Sequence, residues 1–369
     1  MVKYIWSSPA WPRFRWEESV VEARCKLYSK QKSELDAVFE SLTEDMQKTA
    51  IAEAIAHDAV DSSVLEGVAV SYDAVYSAIS RMLGLDVPKS SHVNGNAQAL
   101  AEILKDASSI KLLDFSQDRM LFWHRRLFEG LAGNAKPKLV GEFRKEPVYV
   151  VRYSGDMEGE ILYEGVPVDR IPEEVDAFIA FLKDESIPAV VRSAVAAVWF
   201  PLIHPFQDGN GRLSRIIADM VLFEDEEYRC ISVSSAIRKN KKEYYAHLEK
   251  VDTQDDMDMT EWICWYIDIV IEAVKDAVEN CSKKLELSAF MSKLREGDYN
   301  KREIDMLYRL ASGSFYGKLT ADKWKKMTKC TPATATRDLS HLVDRGLLIR
   351  EGDGGRGTYY RLNPDATNI

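Results

Sequence analysis

The sequence predicts a mainly α protein with one short β-hairpin in its middle and a small helical unit with two strands of its own at the end. Three observations lead there. The run 189–203 is apolar and alanine-rich throughout, as a buried helix would be, and an amphipathic run from Arg212 to about Phe223 follows after a short turn. The stretch 138–144, followed by 148–151 and 161–167, has the apolar and β-branched content of a short hairpin, with Gly155 and Gly159 near its tip. From about Tyr299 the pattern restarts as three short helical segments and two strand-like runs around a glycine-rich loop.

Composition sets the frame. With 369 residues, 46% of them apolar, the chain can bury a full core and divides into two or three domains. No apolar run approaches the roughly eighteen residues of a membrane span, and the opening residues lack the apolar core of a secretory signal, so a cytoplasmic protein is expected. Cys25, Cys230, Cys264, Cys281 and Cys330 form no C-x-x-C pair and read as reduced thiols, mostly small buried hydrophobes. Net charge is −10, which argues against a general nucleic-acid coat protein. The charge is uneven, since from Lys283 onward 17 Lys and Arg face 11 Asp and Glu.

Taken in order, the aromatic and proline-rich opening 6–16 reads as a cluster that packs the following helix, 17–40, onto the core. Helices then dominate from Asp45 to about Lys284, interrupted by the turn-rich region 86–96 and by the hairpin. This gives three regions: 1–44 as an extension, 45–284 as the core, and 285–369 as the terminal domain. In the last, 302–311 and 320–327 are helical, and Thr331-Pro332 supplies a cap and first-turn proline for a third helix ending near Arg345-Gly346. Strands 347–350 and 358–362 flank the glycine-rich 351–357.

The chemistry is concentrated in His204-Pro205-Phe206-Gln207-Asp208-Gly209-Asn210-Gly211-Arg212-Leu213-Ser214-Arg215. His204 falls at a helix end, and Asp208-Gly209-Asn210-Gly211 is a turn whose residues tolerate positive φ and close approach of backbone to a ligand. The first N–H groups of the next helix lack intrahelical partners and carry the positive end of its dipole, so the turn is an anion site. Arg212 and Arg215, three apart, share a face and can grip successive phosphates. Asp208 is a hard carboxylate ligand suited to Mg2+ beside phosphates, and Mn2+ fits nearly as well. A histidine titrates near neutrality and can serve as a base.

This segment closely resembles the signature of the Fic family, H-P-F-x-D-G-N-G-R-x-x-R, at every fixed position. The resemblance implies a Fic-type helical core with a β-hairpin flap, and an enzyme that transfers AMP from ATP to a Ser, Thr or Tyr hydroxyl of a target protein. It makes His204 the general base and Asp208 the holder of Mg2+ at the α- and β-phosphates. The amides of Gly209, Asn210 and Gly211 become the anion hole, with the Asn210 side chain on the α-phosphate. Arg212 is assigned to the β-phosphate and Arg215 to the γ-phosphate.

A second segment, Asp61-Ser62-Ser63-Val64-Leu65-Glu66-Gly67, lies far upstream. Taken alone, Ser62, Glu66 and Gly67 also fit the end of a solvated helix. Beside the intact signature they resemble the family's inhibitory helix, [S/T]-x-x-x-E-[G/N], here near 58–70. There Glu66 would pair with Arg215, in cis or across a dimer, and displace the γ-phosphate from its partner. The hairpin 148–167 resembles the flap on which such enzymes lay a target segment by strand addition, although it also reads as a plain surface hairpin. Residues 234–245 resemble the segment lining the adenosine side of the family's pocket, with Lys242 where relatives carry arginine; Tyr244 and Tyr245 would stack on or bond the nucleoside, although adjacent helix residues face different ways and one of them also reads as core. The opening residues resemble the small extension before many bacterial Fic cores. Spacing does not constrain oligomeric state; relatives often pair through the catalytic domain, which leaves a homodimer open.

The terminal domain resembles a winged helix-turn-helix. Thr334, Thr336, Arg337, Ser340 and His341 would form the polar face of its recognition helix and Arg356 the wing tip, which opens DNA binding through 331–357; a protein-interaction module on the same fold is the other reading. Three function classes follow: a protein adenylyltransferase restrained by Glu66; an enzyme of the same fold that removes AMP or transfers another nucleotide or phosphate; and a nucleotide-sensing transcription regulator.

Overall fold

A computed structural model describes residues 4–86, 95–129, 137–152, 159–226, 228–254, 256–352 and 357–368. The chain divides into two compact units, Met1–Glu279 and Asn280–Ile369. In the first, α1 (Glu18–Glu40), α2 (Glu44–Leu65), α3 (Tyr72–Met82), α4 (Gly95–Ala107) and α5 (Gln117–Leu127) precede the hairpin. After it come α6 (Ile171–Leu182), α7 (Ala189–Ile203), α8 (Asn210–Leu222), α9 (Val233–Lys239), α10 (Lys241–Thr253) and the first part of α11 (Thr260–Glu296), whose remainder from Asn280 belongs to the second unit. Short hydroxyl side chains start several of these. Thr43, Ser71, Ser116 and Ser232 each accept from the backbone N–H three residues on, an N-cap that stabilises a helix by about 1 kcal/mol.

The core is centred on α7, where every residue from Val190 to Ile203 except Pro201 is buried. Such a helix must be covered on all sides. Pro201 has no N–H to give the carbonyl four residues back, and the hydroxyl of Ser214 on α8 donates to that Ala197 oxygen at 3.0 Å. Reciprocally, Ser193 on α7 donates to the Ala218 carbonyl of α8 at 2.8 Å. The aromatic opening packs where its composition suggested: Trp11 and Phe14 lie edge-on to Trp199 of α7, at 6.2 and 5.0 Å between ring centroids.

The hairpin is shorter than the sequence pattern suggested. β1 (Tyr149–Arg152) pairs antiparallel with β2 (Glu160–Glu164), Tyr149 opposite Glu164 and Arg152 opposite Glu160, with an irregularity between Val150 and Val151. Residues 138–144 form bends and turns, because the Arg144 N–H and guanidinium bond the Pro205 and His204 carbonyls instead of a strand. β2 stops at Glu164 because Gly165 must cross His204 and Arg144: a Cβ there would lie 2.9 Å from the His204 Cβ and 2.8 Å from an Arg144 nitrogen. Gly155 lies outside the described residues, as does 87–94 of the turn-rich region; α4 already begins at Gly95.

The second unit contains α12 (Lys301–Ala311), α13 (Ala321–Thr328), α14 (Pro332–Asp344) and the antiparallel pair β3 (Leu348–Glu351) and β4 (Tyr359–Leu362). Trp324, Leu307, Leu339, Leu342 and Leu348 form its core with Phe290 and Leu294. Asn300 and Glu303 make a capping box on α12, and Thr331 caps α14 with Pro332 in the first turn. Buried Asp338 ties the helices together by accepting from Arg302 at 3.0 Å and from Trp324 at 3.3 Å. Of the polar face expected on α14, Thr336, Arg337 and Ser340 are exposed. His341 is instead engaged inward, 2.9 Å from Glu303, and Thr334 bonds the cap residue Thr331 at 2.9 Å. Arg356 lies outside the described residues.

Candidate functional site

The end of α7 and the start of α8 create the site. His204 closes α7 in the left-handed region, φ 52° and ψ 57°, which breaks the helix direction and turns the side chain out of the α7 register. Its Nδ1 lies 3.1 Å from the Pro201 carbonyl. A carbonyl only accepts, so Nδ1 carries the proton and Nε2 is left as the basic nitrogen. Burial pushes the imidazole down to about 4, against the opposing effect of the Pro201 carbonyl, so the ring is neutral near pH 7 and able to accept a proton.

The loop after it is held by its own side chains. Asn210 clips Phe206 twice, accepting from its N–H at 3.0 Å and donating to its carbonyl at 2.8 Å. The carboxamide expected on an anion therefore faces back onto the loop and shapes it. Gly209 caps α8 at φ 84°, a left-handed conformation natural to glycine, so the helix begins at Asn210, two residues before the amphipathic pattern is visible. Asp208 is exposed at 55% of its side chain and accepts from the Gly209 N–H at 2.5 Å.

Both signature arginines are buried. Arg212, with 4% of its side chain exposed, lies over the Phe128 ring at 5.0 Å, and its Nε has no hydrogen-bond partner. Arg215, at 3% exposure, donates from Nε to the Ser62 hydroxyl and from Nη2 to the Ser62 carbonyl, each at 2.8 Å. Nη2 also donates to Glu66 Oε1 at 2.7 Å, while Nη1 is buried without a partner. Glu66 sits directly over the first turn of α8: a Cβ built on Gly211 would fall 2.0 Å from Oε1. A carboxylate thus occupies the positive end of that helix.

The reason Glu66 reaches this point lies at the end of α2. Glu66 is its C-cap, and Gly67 at φ 74° lets the Val68 N–H turn back to the Ser63 carbonyl at 2.9 Å. Asp58, Ser62 and Glu66, four residues apart, line one face of α2 against Asp219 and Arg215 on α8. Arg229 bridges the two helices, bonding Asp58 at 2.9 Å and contacting Asp219, whose carboxyl burial pushes well upward.

A cavity of about 390 Å³ is lined by Glu66, His204, Asn210 and Gly211 together with Val150, Tyr163, Tyr244, Tyr245 and Asp252, while Asp208, Arg212 and Arg215 are not among its lining residues. Burial pushes the Asp252 carboxyl up to about 8. Tyr244 is buried and stacked near Trp265, while half-exposed Tyr245 donates to the Leu65 carbonyl at 3.0 Å. A smaller cavity of about 250 Å³ between α2, α3, α4 and α8 is walled by Ile51, Ile55, Ile79, Leu104 and Met220 and contains none of the signature residues.

Sequence reasoning passed over four groups that hold the site in shape. Arg144 donates to the His204 carbonyl at 2.7 Å and to the Glu146 carbonyl at 3.0 Å, and also bonds the Val166 carbonyl. Tyr163 donates to the Leu202 carbonyl at 2.7 Å, satisfying an orphan oxygen at the end of α7. Buried His124 bonds the loop, and Gly141 approaches α5 so closely that a Cβ would lie 2.9 Å from Arg125 Nε. The Gly141-x-x-Arg144 spacing was readable, but its partners are backbone carbonyls that no residue pattern announces.

A helical core with a glycine-turn helix start, a histidine at the end of the helix before it and a two-stranded hairpin defines the class, and the comparisons agree. Residues 114–222 match the family described as Fic/DOC family, and residues 4–85 match Domain of unknown function (DUF4172). The chain carries a Fic/DOC domain behind a DUF4172 region. It is 27% identical over 175 residues to "Protein adenylyltransferase fic-1" of Caenorhabditis elegans, covering 47% of this chain and 31% of that protein. To "Protein adenylyltransferase Fic" of Drosophila melanogaster it is 24% identical over 243 residues, 65% of this chain and 45% of the relative. The chain therefore spans less than half the length of these curated relatives. Its fold is similar to a Fic family protein from Desulfovibrio desulfuricans G20, with TM-score 0.52, 17% identity and coverage of 91% of this chain and 96% of that one. It is also similar to a solved fragment of C. elegans Fic-1, with TM-score 0.51, 21% identity and coverage of 72% and 74%. Among the described residues no helix is long and apolar enough to cross a membrane.

Proposed function

We propose that this chain transfers AMP from ATP to a hydroxyl side chain of a target protein and that Glu66 restrains it. The observation that carries the reading is the pair of buried guanidiniums at the start of α8, each with an N–H left without a partner, beneath an imidazole with a free Nε2. Buried donors are rarely left unmade, and a polyphosphate supplies the acceptors they lack. In the transfer, His204 Nε2 takes the proton of the target hydroxyl as its oxygen bonds to the α-phosphorus and the bond to the bridging oxygen breaks, releasing pyrophosphate. Arg212 and Arg215 offset the charge on the β- and γ-phosphates, and the α8 amides at Asn210 and Gly211 face the α-phosphate. Bound phosphate charge beside His204 also raises its affinity for a proton, bringing the base nearer its task.

Asp208 fits a divalent cation of the magnesium kind. Its carboxylate is half-exposed at the loop edge, and one carboxylate plus phosphate oxygens is the usual magnesium set. Mg2+, or Mn2+, held there would neutralise phosphate charge. Among the described residues no three His, Cys, Asp or Glu gather into a metal cage.

Glu66 meets Arg215 within one chain, which favours restraint in cis and needs no homodimer. The exposed edge of the flap, with Tyr149, Val150 and Ile161 outward, suits strand addition by a target segment. Incubating the protein with ATP labelled at the α- or the γ-phosphate tests the reading. Protein-bound α-label that disappears in His204→Ala supports AMP transfer. Attached γ-label would mean phosphate transfer, and release of AMP from a modified target without net labelling would mean the reverse reaction.

For the second unit we propose a winged helix that binds duplex DNA through Thr336, Arg337 and Ser340, the exposed residues of α14. Affinity that falls with salt and is lost in Arg337→Ala would support it; no binding to any duplex would favour a protein-interaction module.

A further inference from the structure

His124 is fully buried on α5 and has no part in the proton transfer above, yet its Nε2 is directed at the loop that starts α8, and its Nδ1 at the Gly141 backbone. The Gly141 N–H donates to Nδ1 at 2.8 Å, which leaves the ring proton on Nε2, and Nε2 then donates to the Asp208 carbonyl at 3.1 Å. The ring lies flat on Phe206, 3.9 Å between centroids and 9° between planes. Phe206 is itself clipped at both backbone groups by Asn210.

The bond to Asp208 has a geometric consequence. A trans peptide carries its C=O and N–H on opposite sides, so a carbonyl held toward His124 forces the Gly209 N–H of the same peptide to face away from α5. That N–H meets the Asp208 carboxylate at 2.5 Å. Gly209, at φ 84° and without a Cβ, imposes little barrier to rotation of this peptide, so its orientation needs an outside hold. The surroundings do not permit a heavier residue to supply stiffness: a Cβ on Gly209 would lie 3.0 Å from Leu127 and from Phe128.

We propose that His124 is a positioning residue for polyphosphate binding: by fixing the Asp208–Gly209 peptide it directs the Gly209 N–H onto the Asp208 carboxylate and so holds that carboxylate for the cation that accompanies the phosphates. The proposal rests on the transferase reading of the site.

Two substitutions separate positioning from packing. His124→Phe keeps an aromatic ring on Phe206 and removes the donor; His124→Gln restores an amide N–H near the Nε2 position. Both are made in the full chain carrying Glu66→Gly, so that no carboxylate competes, and titrated calorimetrically with ATP at several magnesium concentrations. His124→Phe should bind ATP roughly tenfold more weakly and need more magnesium for half-maximal binding, as losing one well-aimed charge-assisted contact implies, and His124→Gln should recover most of the loss. Thermal unfolding is followed in parallel. Equal ATP affinity in parent and His124→Phe overturns the proposal and leaves the transferase reading intact. So does a loss that His124→Gln fails to recover while both variants melt together at a lower temperature. A Glu66→Gly parent that binds no ATP removes the transferase reading and this proposal with it.

Discussion

Replacing Glu66 with glycine tests the restraint most directly. The carboxylate makes one charge-assisted bond to Arg215 at 2.7 Å, with 32% of the Glu66 side chain exposed and 3% of Arg215. Bonds of this kind contribute roughly 1.5–3 kcal/mol, and partial exposure of the acid reduces that to about 1–2 kcal/mol. A γ-phosphate that no longer competes for the guanidinium gains that difference, so target or self-labelling from α-labelled ATP should rise roughly 5- to 30-fold. The steric contribution acts in the same direction, because Glu66 Oε1 lies where a Gly211 Cβ would be, above the first turn of α8. Arg215 retains both bonds to Ser62, so the variant should fold. Glu66→Gly combined with His204→Ala should show no labelling, which ties any gain to the same base. If Glu66→Gly binds ATP as the parent does and labels no faster, the ion pair is structural and the inhibitory assignment is wrong.

Other expectations follow from single contacts. Ser214→Ala should cost about 1–3 kcal/mol in urea unfolding, because it leaves the Ala197 carbonyl, already freed by Pro201, buried without a donor; an unchanged midpoint would mean the oxygen finds another partner. Asp208→Ala should raise the magnesium concentration needed for labelling at least about tenfold while leaving the unfolding midpoint nearly unchanged, since the side chain is half-exposed. His124 and His204 should remain neutral in NMR titrations down to about pH 4, below the ordinary histidine value of 6.5. Because the unfolded chain binds protons at these groups first, their stabilisation is complete above pH 6.5 and is lost as pH falls toward 4. The stability of the parent relative to His124→Gln should therefore fall by up to about 3 kcal/mol as pH drops across that window; a difference constant with pH would refute it.

Helix periodicity and caps were legible because they are local. Residues 189–203 announced α7 by unbroken apolar content, and Thr331-Pro332 announced the start of α14 by cap chemistry. The signature loop was legible for the same reason: its glycines and arginines must be adjacent in the chain to build a helix start that binds anions. The length of the hairpin was less legible, because Arg144 and Gly165 answer to the carbonyls and Cβ of a segment some sixty and forty residues away.

The chain by itself determined the glycine turn, the histidine at the end of α7 and the arginine pair, all within one local stretch whose backbone conformation its own residues dictate. Only the tertiary structure decided that Glu66 reaches Arg215, that Asn210 turns back onto Phe206, and that His124 holds the Asp208 carbonyl. The first and last of these join α2 and α5 to α8 and the loop before it, and side-chain direction across separate elements depends on how they pack, which spacing along one of them does not encode.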